Sequence, residues 1–151
     1  MNRLVLLLTF ALLCSASGVS AQNINEITAK GKKAYLEIKI LKGEISDART
    51  RAYEHLTGDE WNEWEMVDSP EESDFTIRLV FEKKGMNIMS MRSMGARVRV
   101  TAEIADREGK VLWRSKQYQG NVSEFTGFNA LSDAMRKIVR RALRDELRGW
   151  K

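Results

Sequence analysis

Apolar and polar residues alternate most regularly from Asp74 onward. Phe75, Ile77, Leu79 and Phe81 fall on one face, and Thr76, Arg78 and Glu82 on the other. This period of two marks a strand with one dry and one wet side. Arg97 to Ala105 repeats the pattern, with Val98, Val100, Ala102 and Ile104 inward and Arg97, Arg99, Thr101 and Glu103 outward. Asp106-Arg107-Glu108-Gly109 reads as a tight turn with glycine at a left-handed position, which makes Lys110–Gln119 the partner strand. Tyr35–Leu41 gives another strand, with Leu36, Ile38 and Ile40 on its core face. Trp61–Val67 is a less regular candidate. An odd spacing of three lets only one of Trp61 and Trp64 point inward on a strand, so one exposed tryptophan is expected.

Helical periods appear twice. Ser46 is a candidate cap for a helix running to about Leu56, with Ala48, Ala52 and Leu56 along one side. Leu131, Met135, Ile138, Val139, Ala142 and Leu143 form the apolar stripe of a longer helix that Gly149 can end. Ser69-Pro70-Glu71-Glu72 suits one helical turn, because proline is tolerated at a first helical position. The predicted order is β-α-β-β-β-α. Outward polar faces imply a sheet covered on one side only: an α+β two-layer sandwich, with a mixed sheet of about four to five strands and helices on one face. Phe75, Ile77, Leu79, Phe81, Val98, Val100, Ile104, Leu131 and Ile138 are the expected core.

The first residues differ from this pattern. Arg3 precedes the apolar run Leu4–Leu13, and Val19-Ser20-Ala21 supplies small residues at the −3 and −1 positions, the plan of a secretory leader. The run is about half the ~20 residues a bilayer span needs. The expected organisation is therefore a signal peptide over 1–21, a polar lead-in over 22–34 and a single α+β domain over 35–151. The expected destination is the periplasm or the exterior, after cleavage near Ala21. The one cysteine, Cys14, lies inside the leader, and Leu13 before it disfavours lipoprotein processing, which prefers a small residue there. A chain without further cysteine relies on its core, not on disulfides. The formal charge of +4, from 25 Lys and Arg against 21 Asp and Glu, is too mild to argue for nucleic-acid binding.

Two stretches carry a resemblance. Val67-Asp68-Ser69-Pro70-Glu71-Glu72-Ser73-Asp74-Phe75-Thr76-Ile77 looks like the entry to a central strand in a group of bacterial envelope proteins. Asp106-Arg107-Glu108-Gly109-Lys110-Val111-Leu112-Trp113 resembles their Gly-Lys hairpin with its tryptophan. The group comprises the TolB amino-terminal domain, the curli secretion lipoprotein, the penicillin-binding-protein activators and the lipopolysaccharide-assembly lipoprotein. The resemblance covers about Tyr35 to Leu147 and implies a periplasmic binding or assembly domain without catalysis. It carries over no functional residue, and the methionine-rich segment described next is not part of it.

Candidate chemistry is sparse. Met86, Met89, Met91 and Met94, four of seven methionines, fall within nine residues between two predicted strands. Flexible thioether chains suit a partner-binding surface. The alternative is a soft-metal site for Cu(I) or Ag(I), which the nearby Arg92 and the absence of neighbouring His or Cys oppose. Arg136, Arg140, Arg144 and Arg148 recur every four residues on the last helix and form a candidate anion-binding row; the plainer alternative is a solvated face. The eight acids between Asp59 and Asp74, with no base among them, favour the plainer reading because they can screen that row. The single histidine, His55, has no serine elbow or cysteine to work with, and no carboxylate pair, Walker loop or dinucleotide fingerprint stands out. The expectation is a non-catalytic exported binding or assembly domain without cofactor. Its partner would be an envelope protein or lipid component, or a second copy, and not nucleic acid. It would not be an integral membrane protein.

Overall fold

Burial alternates along the chain where the sequence alternates. In the computed structural model, which describes residues 24–84, 97–121 and 129–149, a short helix α1 (Ile24–Ile27) precedes β1 (Lys33–Lys42), α2 (Ala48–Leu56) and β2 (Glu65–Val67). A single 3-10 turn (Pro70–Glu72) then leads into β3 (Phe75–Lys84), β4 (Arg97–Ala105), β5 (Val111–Arg114), β6 (Tyr118–Gly120) and α3 (Ala130–Lys137), which runs on as a π-helix over Ile138–Leu147. The strand order is β2-β1-β3-β4-β5, with β6 also paired to β4. β1 runs parallel to β2 and β3, whereas β3, β5 and β6 each pair with β4 antiparallel. This is a mixed sheet with α2 and α3 packed on one face, the predicted α+β sandwich.

The expected core residues are all buried. Leu36 of β1, Phe75 to Phe81 of β3 and Val98 to Ile104 of β4 line one face of the sheet, opposite Ala52, Leu56, Met135, Ile138, Val139, Ala142 and Leu143. Register explains the layering: Leu36 stands beside Ile77, and Ile77 beside Ile104. The buried helix residues come in pairs four apart, 130/131, 134/135, 138/139 and 142/143, ending at Leu147. At 3.6 residues per turn a repeat of four drifts by about 40° each turn. The wider π winding from Ile138 onward, seen in the Arg148 N–H to Leu143 carbonyl bond of 3.1 Å, keeps the pairs facing the sheet.

Four details depart from the pattern. β1 starts at Lys33, before the alternation at Tyr35, and Ile40 is 41% exposed because the strand runs past the helical layer. The position before α2 is Asp47 in the left-handed region, φ 60°, with no side-chain cap, so Ser46 does not cap the helix. Lys110–Gln119 breaks into β5 and β6. Buried Ser115 sits in the break, where its hydroxyl accepts the Ala102 N–H at 3.0 Å and donates to the Lys116 carbonyl at 2.7 Å. Only Glu65–Val67 of the Trp61–Val67 stretch is a strand, which frees the two tryptophans from alternation: both are buried, at 1% and 4% exposure.

Two glycines are required by geometry. Gly109 has φ +84° in the β4–β5 turn, where Asp106 accepts the N–H groups of Glu108 and Lys110 at 3.0 and 2.9 Å. Gly120 lies where α3 crosses β6; a Cβ there would sit 1.9 Å from the Ala130 carbonyl oxygen and 2.5 Å from the Ala134 nitrogen.

Candidate functional site

The two tryptophans and the acidic run form an internal buttress. Trp64 stands edge-on to Trp61 at 5.0 Å and to Phe75 at 4.9 Å, and its indole N–H donates to the Thr28 carbonyl at 2.8 Å. Arg148, at the end of the last helix, donates to the same carbonyl and lies over the Trp61 ring at 6.0 Å. Burial lowers the pKa of this guanidinium. The chain before β1 is thereby tied to both Trp64 and the last helix, through residues 36 and 120 positions apart.

The other arginines of the row are placed as follows. Arg136 pairs with Asp133 at 3.0 Å. Arg140 makes a two-pronged contact with Glu60 of the acidic run, its Nε at 3.0 Å from Oε2, and that hydrogen bond holds Glu60 below the usual carboxylate range. Arg144 is half-buried. Asp133 is a junction, accepting from Lys137 Nζ at 2.8 Å, the Asn121 N–H at 3.1 Å and Arg136. Burial pushes its pKa up, and these donors together pull it below its ordinary value. Lys137 also donates to the Gln119 carbonyl at 2.7 Å, so this cluster docks α3 onto β6. Met86, Met89, Met91 and Met94 lie outside the described residues, as do residues 1–21.

On the sheet face away from the helices, one register row carries alternating charge. Glu37 of β1, Arg78 of β3, Glu103 of β4 and Arg114 of β5 stand side by side. Arg78 lies 2.7 Å from Glu37 and 3.3 Å from Glu103, and Arg114 lies 2.7 Å from Glu103. The Glu37 hydrogen bond, the largest influence, raises the Arg78 pKa further. Sequence alternation places Glu37, Arg78 and Glu103 on the outward face, where the structure nonetheless buries Glu103 beneath its two arginines; the alignment of the four depends on register, which no single strand encodes.

Among the described residues, two of the surface clefts bear on the site. One of about 310 Å³ is lined by Ile27, Lys32, Asp74, Asp106, Arg107 and Glu108. Its Asp74 is already engaged, accepting the Lys33 N–H at 3.0 Å and lying 3.1 Å from Arg107; the Lys33 bond leads in lowering its pKa. The other, about 250 Å³, lies among Ile45, Arg51, Lys83, Val98 and Leu131. His55 is half-buried, and desolvation lowers its pKa. Among the described residues no three His, Cys, Asp or Glu side chains come together as a metal site would require. No described helix is long and apolar enough to cross a membrane.

What remains outward is the rim of the sheet. Its outer strands are β2 on one side and, along β4 on the other, β5 followed by β6. Glu65 on β2 and Arg114 on β5 have side chains 62% and 64% exposed. Val111, Ile40, Leu41 and Tyr53 are the exposed large hydrophobic residues among those described.

This architecture is one that bacterial envelope proteins carry. The PelC dodecamer from Paraburkholderia phytofirmans is similar at a TM-score of 0.50 and 18% identity, over 74% of this chain and 86% of that one. A minor lipoprotein from Acinetobacter baumannii gives 0.42 and 16%, over 73% and 89%. Lipoprotein GNA1162 from Neisseria meningitidis gives 0.47 and 12%, over 78% and 99%. No family model and no curated protein matches the sequence. The resemblance to envelope-assembly proteins therefore holds at the level of fold type. The expectation that lipoprotein processing is disfavoured is corrected by these likenesses. Several of the similar structures are lipoproteins.

Proposed function

We propose that this chain is a non-catalytic assembly domain of the bacterial cell envelope, held at a membrane through an acylated Cys14. One observation carries the reading: among the described residues, the paired tryptophans, Arg136, Arg140 and Arg148 of the arginine row, and Asp133 are engaged inside the fold. Trp64 and Arg148 meet on Thr28, Arg140 on Glu60, and Asp133 on three donors, while apolar residues such as Leu41, 54% exposed, remain at strand ends. An enzyme site needs convergent polar groups left free around a cleft. Exposed apolar positions on a rigid sheet suit contact with a macromolecule. A fold similar to that of the PelC dodecamer adds support for self-assembly, with an envelope protein or lipid component as the further partner.

The test is metabolic labelling with a palmitate analogue, together with photo-crosslinking from Leu41 in intact cells. The wild type should take the label and sediment with membranes, the Cys14→Ser variant should lose both properties, and crosslinks should form discrete adducts. An unlabelled chain beginning at Gln22 would refute the anchor. Crosslinks to nothing but solvent-quenched monomer would refute the assembly role.

A further inference from the structure

The two outer strands of the sheet carry opposite charge. Around β2 the run Asp59–Asp74 holds eight acids and no base, and Glu65 and Asp68 flank its exposed side. Around β5 the run Lys110–Lys116 holds Lys110, Arg114 and Lys116 and no acid, and the Lys116 side chain is 83% exposed. Bases do approach the acidic edge: Lys33 lies 4.0 Å from Glu65 and Lys30 lies 3.6 Å from Glu63. Arg140 engages Glu60. Four acids of the run thus meet a cation, counting Asp74 beside Arg107, and Asp59, Asp68, Glu71 and Glu72 keep the edge acidic in sum. At the basic edge Arg114 leans on Glu103 and Lys116 lies 3.8 Å from Glu146, while Asp106 and Glu108 occupy the turn before it.

An outer strand presents backbone N–H and C=O groups that another strand can pair with, and proteins commonly guard such edges with charge. Here the guard has a direction. β5 against β5 sets bases against bases, and β2 against β2 sets acids against acids; only β2 against β5 brings opposite charges together. We propose that the chain assembles head-to-tail, the acidic β2 edge of one copy seated against the basic β5 edge of the next. Exposed Val111, at 37%, supplies an apolar contact at the start of β5. Because Glu65 and Asp68 lie at one side of the sheet and Lys110, Arg114 and Lys116 at the other, these groups cannot meet within a copy. The contact is heterologous and propagates until a ring closes or a filament forms. The short strands, three and four residues, limit indiscriminate pairing and leave charge to set the partner. This assignment rests on the assembly reading above and specifies its self-contact.

Sedimentation velocity on the full chain, purified from membranes in mild detergent, tests it. The wild type should form oligomers at about 0.05 M salt and dissociate at about 0.5 M, where screening is strong. Glu65→Lys with Asp68→Lys puts lysine at the middle of the β2 edge, where it would face the bases of β5, and Lys110→Glu with Lys116→Glu gives the β5 edge two acids against Arg114, which would face the acids of β2. Each double variant alone should weaken association by about 10-fold or more. An equimolar mixture of the two should assemble again, since each edge then meets its opposite. Near-UV circular dichroism checks that both variants keep the native packing. Should either misfold, Asp68→Cys mixed with Lys110→Cys, both in a Cys14→Ser background, decides: oxidation should give crosslinks between the two variants in excess of those formed by either alone. A wild type that stays monomeric at low salt, assembly that survives both reversals, or a mixture that stays monomeric would each overturn the proposal. A monomeric chain that still yields discrete Leu41 adducts in cells would retain the assembly domain and lose only this interface.

Discussion

β3 and the stretch Trp61–Val67 are both rich in apolar residues, and they are built in different ways. β3 lies at the centre of the sheet, and each inward residue from Phe75 to Phe81 is buried because the chain alternates and one face is dry. Trp61–Val67 lies at the rim and is a strand for only three residues. Its tryptophans are buried through contacts with Thr28, Phe75 and Arg148, remote in sequence. Periodic burial reports a regular element, whereas irregular burial reports long-range anchoring. The first can be read along the chain and the second cannot.

Breaking the irregular side should cost most. Trp64→Ala removes an indole that fills the space between Trp61 and Phe75, and leaves the Thr28 carbonyl short of a donor. Chemical denaturation should show a loss of about 3–5 kcal/mol. The matching cut in the regular region, Leu79→Ala or Ile138→Ala, should cost about 2–5 kcal/mol, since both residues are fully buried. A loss below about half a kcal/mol at Trp64 with the full loss at Leu79 would show that the rim is ornamental and the centre alone holds the fold.

The two regions also differ in how much was legible in advance. The inward faces of β3 and β4, the stripe on α3, the turn at Gly109 and the 3-10 turn at Pro70 each follow from local spacing, and the structure has them where spacing puts them. Alternation does not apply across Trp61–Val67, because its backbone is a loop up to Trp64. Spacing predicts one strand over Lys110–Gln119 because buried Ser115, which breaks it, resembles any polar strand residue until Ala102 is placed opposite. The Glu37–Arg78–Glu103–Arg114 row needed register between four strands. For the site, the Arg140–Glu60 meeting was foreshadowed by the opposite charges of the two runs, but the use of Arg148 on Thr28 had no local signal.

Gly120 sharpens the comparison from the packing side. It belongs to β6, a regular strand, yet its identity is set by a distant element: α3 crosses so closely that a methyl group would meet the Ala130 and Ala134 backbone. A backbone wall cannot turn aside as a side chain can, so Gly120→Ala must push α3 off the sheet. Overpacking of this kind costs about 1–3 kcal/mol, and the melting transition should fall accordingly. An unchanged melting temperature would mean that α3 slides freely over β6, contrary to its anchoring through Lys137 and Asp133.

The smallest expected effect is pH-dependent and arises at that same anchor. Asp133 has its folded pKa held below the ordinary value, so the folded state favours the carboxylate. A group depressed in this way contributes stability that is fully present above its unfolded pKa, about 3.9, and is lost as pH falls through its folded pKa. Asp133→Asn keeps the shape and one acceptor but removes the charge that gathers Lys137, Arg136 and the Asn121 N–H. At pH 7 the variant should be less stable by about 1–2 kcal/mol, in the range of hydrogen bonds to a charged group. The difference from wild type should shrink on acidification below about pH 4, because the wild-type carboxyl then becomes neutral as well. Urea midpoints for both proteins between pH 7 and pH 2 supply the check. A deficit that stays constant across that range would assign the loss to side-chain fit, and the role of the carboxylate charge in docking α3 onto β6 would be rejected.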